Sequence, residues 1–454
     1  TRAAGPERTG PRVSHVRRPF LGRFCVLLGA ACLASLAAAP PDAPSADGTT
    51  ALDRAVSIGD VAKAESLIRS GADVNAINRY GATPLSLAAA DGNARLVVAL
   101  LKAGADPRKA DGALREGRTL LMLAARTGNV DAMTPLLAAA NVNAAETRTG
   151  TTALMWAALE NRADAVRALA TAGAEVNARS TVTAYPHTPP GVIGDALEED
   201  VSYVGQTVLP RGGWTALMYA ARQGALDAAR ALVQAGASLN LADPDGTPAL
   251  TFAIINGHYD VATLLVKSGA DVNQPDRTGA TPLYSAVDMH TLVTSFGRPE
   301  LTRAVTDGSL DAAKMLLAHG ADPNRPLKTR VLKRTYQAGD ARLAEGATPL
   351  MRAAKAGDVV MMKLLVEAGA DMDRTNAAGE TAMHIAANVP KALRFLADEG
   401  ASPDLKNARG LTPLEALLKV QNPNADAVAF LRDLTGDYTT LASPEAPAGR
   451  RRAQ

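Results

Sequence analysis

The 454-residue sequence contains two cysteines, Cys25 and Cys32, both close to its N-terminus. From residue 33 onward there is no thiol, so that part of the chain has no disulfide, no Cys-based zinc site and no C-x-x-C-H haem attachment. Aromatic residues make up 4% of the chain. With Ala, Leu and Gly abundant, that scarcity suits small-residue helix packing better than a strand-rich sandwich. An excess of charge of one sign is also missing, the formal net charge being +2. Without residues 1–39 the chain loses six Arg and one Glu, and its charge becomes −3. A mildly acidic domain of this kind is a poor candidate for nucleic-acid binding. Motifs of chemistry are absent too: there is no H-E-x-x-H, G-x-S-x-G or P-loop, and no G-x-G-x-x-G between strand and helix.

The apolar run from Phe24 is short for a membrane span of about 20 residues. Arg17, Arg18 and Arg23 precede or open it, and Ala37-Ala38-Ala39 ends it before Pro40. Residues 1–39 therefore read as a bacterial signal peptide with an A-x-A cleavage site, followed by a linker at 40–47. Arg17-Arg18-Pro19-Phe20-Leu21 also fits the twin-arginine export pattern, with an ordinary Sec signal as the alternative. Lipid attachment at Cys32 is disfavoured, because "LGAAC" places Leu28 one position early. The expectation is a periplasmic or secreted protein with no transmembrane segment in the mature chain.

What the sequence has in quantity is one phrase, a Gly-Ala-Asp-x-Asn turn followed by Gly-x-Thr-Pro-Leu. The glycines before the Thr-Pro-Leu-like starts are Gly48, Gly81, Gly117, Gly150, Gly213, Gly246, Gly279, Gly346, Gly379 and Gly410. Their spacings are 33, 36, 33, 63, 33, 33, 67, 33 and 31 residues. A fixed period of this size marks a repeat architecture. The stretch from Gly246 to Thr278 serves as the reference unit. The Thr at the second place after the glycine reads as a helix N-cap, as in "ATPL" at 280 and 347, with Pro282 or Pro349 at the first helical position. A short apolar helix follows, Gly257-His258 turns the chain, and Asp260 opens a second helix at its positive dipole end. Leu264 and Leu265 are expected to face inward, and Gly269 to end the helix in a left-handed conformation. "ADVNQPDRT" then forms an extended turn. Helices of about ten residues are marginal alone, so each unit must be covered by its neighbours.

"TPLSLA" (83–88), "TALMWA" (152–157), "TALMYA" (215–220), "TPLMRA" (348–353) and "TAMHIA" (381–386) carry a resemblance to the ankyrin repeat family over about residues 48–434. The resemblance implies an all-α repeat solenoid of stacked helix-turn-helix units with β-hairpin finger loops, about ten repeats in all. The family's histidine is present only as His384, where it implies a backbone tie between neighbouring hairpins. The expected layout is repeats 1–4 at 48–177, an inserted finger loop at 178–212, and repeats 5–7 at 213–324 with an insertion around 291–306. A basic inserted finger loop at 325–345, repeats 8–10 at 346–434 and a disordered tail at 435–454 complete it.

Chemistry-bearing residues are thin. His187 and His290 sit at or near insertions, and Asp195, Glu198, Glu199 and Asp200 cluster near His187, a set that reads as a solvated acidic loop rather than a cation site. Trp156, Trp214 and Tyr219, at helical spacing, read as packing or partner contacts rather than a cofactor cage. No metal or cofactor is expected. Ankyrin-family proteins tend to bind partners on the concave face, near the hairpin glycine and at the end of the first helix. Those positions here hold Arg79, Tyr80, Arg115, Arg118, Arg126, Arg148, Arg211, Trp214, Arg222, Arg277 and Lys355, with Glu116, Glu160, Gln223 and Asp288 among them. Basic residues outnumber acidic ones there, which suits a protein partner with an acidic surface. The expected function is a non-enzymatic interaction scaffold of the bacterial cell envelope. The alternatives are a secreted effector binding host proteins and an enzyme or ligand-binding protein with its site in 178–212.

Overall fold

The 33-residue period becomes helix pairs. In this computed structural model the described residues are 45–182, 212–291, 303–329, 343 and 345–438, and they belong to one compact unit, Pro44–Gln454. Repeats 1 to 3 are α1 (Ala51–Ser57) with α2 (Val61–Arg69), α3 (Pro84–Asp91) with α4 (Ala94–Lys102), and α6 (Leu120–Thr127) with α7 (Val130–Leu137). A short helix α5 (Pro107–Ala113) precedes the third pair. Repeats 4 to 6 are α8 (Ala153–Leu159) with α9 (Ala163–Thr171), α10 (Ala216–Gln223) with α11 (Leu226–Gln234), and α12 (Ala249–Ile255) with α13 (Tyr259–Lys267). Repeat 7 is α14 (Pro282–Thr291) with α15 (Arg303–Ala318), and repeat 8 is α16 (Pro349–Ala356) with α17 (Val359–Glu367). Repeats 9 and 10 are α18 (Ala382–Ile385) with α19 (Pro390–Asp398) and α20 (Pro413–Leu418) with α21 (Ala425–Thr435).

The first helix of each pair stacks on the first helix of the next repeat, making an inner layer, and the second helices make an outer one. Four residues after each repeat glycine stands Leu or Met, from Leu52 and Leu85 to Met383 and Leu414, and all of these are buried. Small pairs such as Ala88-Ala89, Ala124-Ala125 and Ala353-Ala354 are likewise buried and let neighbouring inner helices approach closely. Thr50, Thr83, Thr119, Thr152, Thr215, Thr348, Thr381 and Thr412 each accept a bond from a first-turn backbone N–H, as the N-cap reading requires.

The reference unit is the exception. Its Thr-Pro pair is shifted by one residue, so Pro248 occupies the N-cap position of α12 and makes no side-chain cap bond. In α13, Val261, Ala262, Leu265 and Val266 are buried, whereas Leu264 is only partly covered. The 36-residue step is explained by α5 and a one-turn 3-10 helix at Arg115–Gly117, which replace the extended turn expected there.

Where the Asn of Gly-Ala-Asp-x-Asn is present, it staples one repeat to the next. Asn75 Nδ2 donates to the Gly104 carbonyl at 3.1 Å while its Oδ1 accepts from the Asp106 N–H at 2.8 Å. Asn143 does the same with Gly173 and Glu175, and Asn273 with Gly320 and Asp322. On the opposite edge the fingers are laced by backbone bonds between repeats: Arg79 N to Asp47 O, Thr147 N to Glu116 O, Arg277 N to Asp245 O and Ala377 N to Glu345 O, at 2.7–3.1 Å. Within the fingers the hairpins are turns with isolated bridges, Ala145 with Thr152 and Ala242 with Pro248, and no strand forms among the described residues.

The insertions leave where the spacing placed them. Ser180 pairs with Gly213 and Trp214 through backbone bonds at 3.1 and 3.0 Å, so 178–182 and 212–214 close the base of a finger. Leu327 pairs with Gly346 and Ala347 at 2.8 and 2.9 Å, closing the base of another. The third separates α14 from α15, and residues 303–306, expected as loop, begin the 16-residue α15. The expected signal and linker up to residue 44, loop residues 183–211, 292–302 and most of 330–344, and the tail from 439 lie outside the described residues.

Candidate functional site

The expected concave-face residues come from three kinds of position: fingertips, the residue before the inner helix, and the last turn of the inner helix. Because the repeats are stapled in register, these positions line up along one side of the array. The structure nonetheless divides them by what already holds them.

At the fingertips Arg79 and Tyr80 are exposed and engage each other: the guanidinium donates to the Tyr80 hydroxyl at 2.5 Å and lies 4.8 Å from the ring centroid. Arg118 is clamped between Glu116 at 3.2 Å and the buried Glu146 at 3.1 Å. Arg277 donates to the Pro244 carbonyl at 2.5 Å and lies 3.6 Å from Asp245. Two of the expected basic residues, Arg118 and Arg277, are therefore neutralised within the array. Arg115 and Arg148 are exposed at neighbouring tips. Arg211 lies outside the described residues.

On the inner helices the central feature is aromatic. Trp214 sits just before α10, half-buried, with Tyr219 at 5.3 Å and Phe252 at 5.2 Å between ring centroids, both edge-to-face. The exposed Arg222, in the last turn of α10, stacks on the outer face of Trp214 at 4.9 Å. One indole is thus packed on two rings and capped by a cation, an arrangement rigid enough to present a contact surface with little further ordering. Sequence reasoning named Trp214, Tyr219 and Arg222 but missed Phe252, which lies 38 residues from Trp214 and comes into reach only through stacking of repeats 5 and 6. Arg126, partly buried, gives its backbone carbonyl to Arg162 Nε at 3.1 Å.

At the far end of the site Arg352 of α16 reaches Asp288 of α14 at 2.6 Å, with the fully buried Tyr284 nearby. Burial and the Asp288 charge push the Tyr284 phenol up. His290, at the end of α14, bonds Asp358. Burial lowers the ammonium pKa of Lys355. None of these residues was predicted to pair, because the partners are 64 and 68 residues apart. His258, read as a turn residue, also ties repeats, donating from Nε2 to the Arg222 carbonyl at 3.1 Å. His384 fulfils the expected tie, its Nε2 donating to the Leu411 carbonyl at 3.0 Å.

Among the described residues no group of three or more His, Cys, Asp or Glu side chains is gathered as a metal site. The acidic cluster at 195–200 lies outside them. No helix among the described residues is long and apolar enough to cross a membrane.

Comparison with known proteins fits this geometry. The family model for ankyrin repeats in three copies matches residues 24–111, 85–180, 201–276, 239–327 and 301–407. Among curated proteins, 153 residues are 31% identical to human neurogenic locus notch homolog protein 1, covering 29% of this chain and 6% of that protein. Over 126 residues the chain is 36% identical to human SH3 and multiple ankyrin repeat domains protein 1, covering 27% of this chain and 5% of the relative. The zebrafish (Danio rerio) notch homolog protein 1 is 30% identical over 153 residues. The chain thus spans only about a twentieth of the length of these relatives, and the likeness lies in the repeats. With matches over most of its length, ten stacked helix pairs and inter-repeat staples, the chain belongs to the ankyrin repeat family.

Proposed function

We propose that this protein is a non-enzymatic protein-interaction scaffold that grips its partner on the concave side, between the fingertips and the ends of the inner helices. The observation that carries this reading is the Trp214 cluster. Trp and Arg are the residues most enriched where binding energy concentrates, and here they are preassembled and accessible. The exposed Arg115 and Arg148 extend the same side with positive charge, which favours a partner presenting carboxylates. The N-terminal pattern of residues 1–39 supports a bacterial cell-envelope setting, periplasmic or secreted.

The test is photo-crosslinking from position 80 or 223 in the envelope fraction of the source cell, repeated with Trp214→Ala and with Arg126→Glu and Arg222→Glu together. The reading expects one partner captured by the native chain, its affinity lowered about 10-fold or more in either variant. Unchanged affinity in both variants would remove the concave surface from the interaction.

A further inference from the structure

Consecutive outer helices pack side by side at each joint of the array but one. Between repeats 7 and 8, α15 and α17 make at most marginal contact among the described residues, although the inner helices α14 and α16 are packed as closely as elsewhere. Val360, at the second position of α17, is 60% exposed, an apolar side chain at a position where repeats 3 to 6 carry the likewise exposed Asp131, Asp164, Asp227 and Asp260.

The same joint is tied differently at the turn between inner and outer helices. At three other joints the turn residue of the following repeat donates to a backbone carbonyl at the end of the preceding inner helix. Asn129 donates to Gly92, Arg162 to Arg126 and His258 to Arg222, at 2.8, 3.1 and 3.1 Å. In repeat 8 the turn residue is Asp358, whose carboxylate accepts and cannot make that bond. Its Oδ1 caps α17 by accepting from the Met361 N–H at 3.1 Å, and its Oδ2 bonds His290 instead. His290 is available because α14 runs on to Thr291 rather than stopping at a left-handed glycine, as α3, α6, α10 and α16 do. Two residues earlier on α14, Asp288 holds Arg352. A backbone tie has been replaced by two side-chain pairs.

We infer that the joint between repeats 7 and 8 is a hinge, latched on its inner side by His290–Asp358 and Asp288–Arg352 and free to open on its outer side. Rotation there needs no loss of the Leu and Ala stacking within either block, because the bond-forming groups sit on side chains that can swing. The Asn324 staple, with Gly369 at 2.9 Å and Asp371 at 2.7 Å, retains the register while the angle changes. The concave side would then bend at one defined place, whatever it binds.

The experiment measures spin-label distance distributions by double electron–electron resonance in the full chain carrying Cys25→Ser and Cys32→Ser. Labels at Lys314→Cys and Lys363→Cys, exposed residues on α15 and α17, span the hinge. Labels at Lys267→Cys and Lys314→Cys span the packed joint between repeats 6 and 7. The expected result is a distribution about twofold wider across the hinge, widening further with His290→Gln and Arg352→Gln while the control pair stays unchanged. Equal widths at the two joints in the otherwise native chain would overturn the hinge. A hinge distribution unaltered by the two glutamine substitutions would overturn the latch.

Discussion

Asn324 and Gly369, 45 residues apart in sequence, are joined by a 2.9 Å bond from the Asn amide to the glycine carbonyl, and the Asn Oδ1 accepts from the Asp371 N–H at 2.7 Å. Replacing Asn324 with Ala removes both bonds and leaves the exposed Gly369 carbonyl to solvent. The expected loss is about 1–2 kcal/mol in urea unfolding. In a quasi-one-dimensional array the loss should fall on the joint, appearing as earlier unfolding of repeats 8–10 in hydrogen exchange.

The glycines of the array are not equivalent. Gly346 has φ +84°, and a Cβ there would lie 2.7 Å from Asn376 Cα; Gly369 has φ +88° with nothing within 4 Å. Gly369→Ala therefore meets only backbone strain, about 1 kcal/mol. Gly346→Ala adds a clash with the next finger's backbone and should be clearly the more destabilising, by thermal melting of the two variants.

His384 makes stability depend on pH. Burial lowers its pKa from 6.5, so the folded protein holds the neutral ring more firmly than the unfolded chain does. A depressed histidine contributes its full stability above the unfolded pKa and loses it as pH falls below about 6.5 toward the folded value. The urea midpoint should fall between pH 7.5 and 5.5, and fall less in His384→Gln, whose amide can still donate toward Leu411. Equal slopes in the two proteins would show that other groups set the acid response.

Trp214→Ala strips the aromatic cluster of its centre and leaves Arg222 without its ring. For a half-buried indole the expected cost is about 2–3 kcal/mol, below that of a fully buried one. Arg222→Ala should cost under about 1 kcal/mol. The pair separates surface from scaffold: an Arg222→Ala protein of near-native stability that binds its partner more weakly places Arg222 in the interface.

The repeat framework was legible because its determinants are local. Thr348 capping α16, Gly357 ending it and the Leu four residues after each repeat glycine are all read within one unit. The N-cap of α12 was misread because Thr247-Pro248 is shifted by one residue, and a rule about residue types does not register a change of phase. The charge of the candidate surface was legible only to a limited degree. Whether an arginine is free or neutralised depends on partners such as Glu146 for Arg118, 28 residues away, or Asp288 for Arg352, 64 residues away. The insertions make such separations irregular, so no fixed offset reveals the pairs.

The Asn staples span 29 to 61 residues of sequence, Asp373 and Ser402 being the acidic variant of the same link, with no change in the bond they make. The chain therefore measures position by neighbour rather than by count. A lineage carrying such an array can lengthen one finger, or move a pair of helices further apart in sequence, without renegotiating any other joint. New surface can be tried at one repeat while the remaining nine keep their shape.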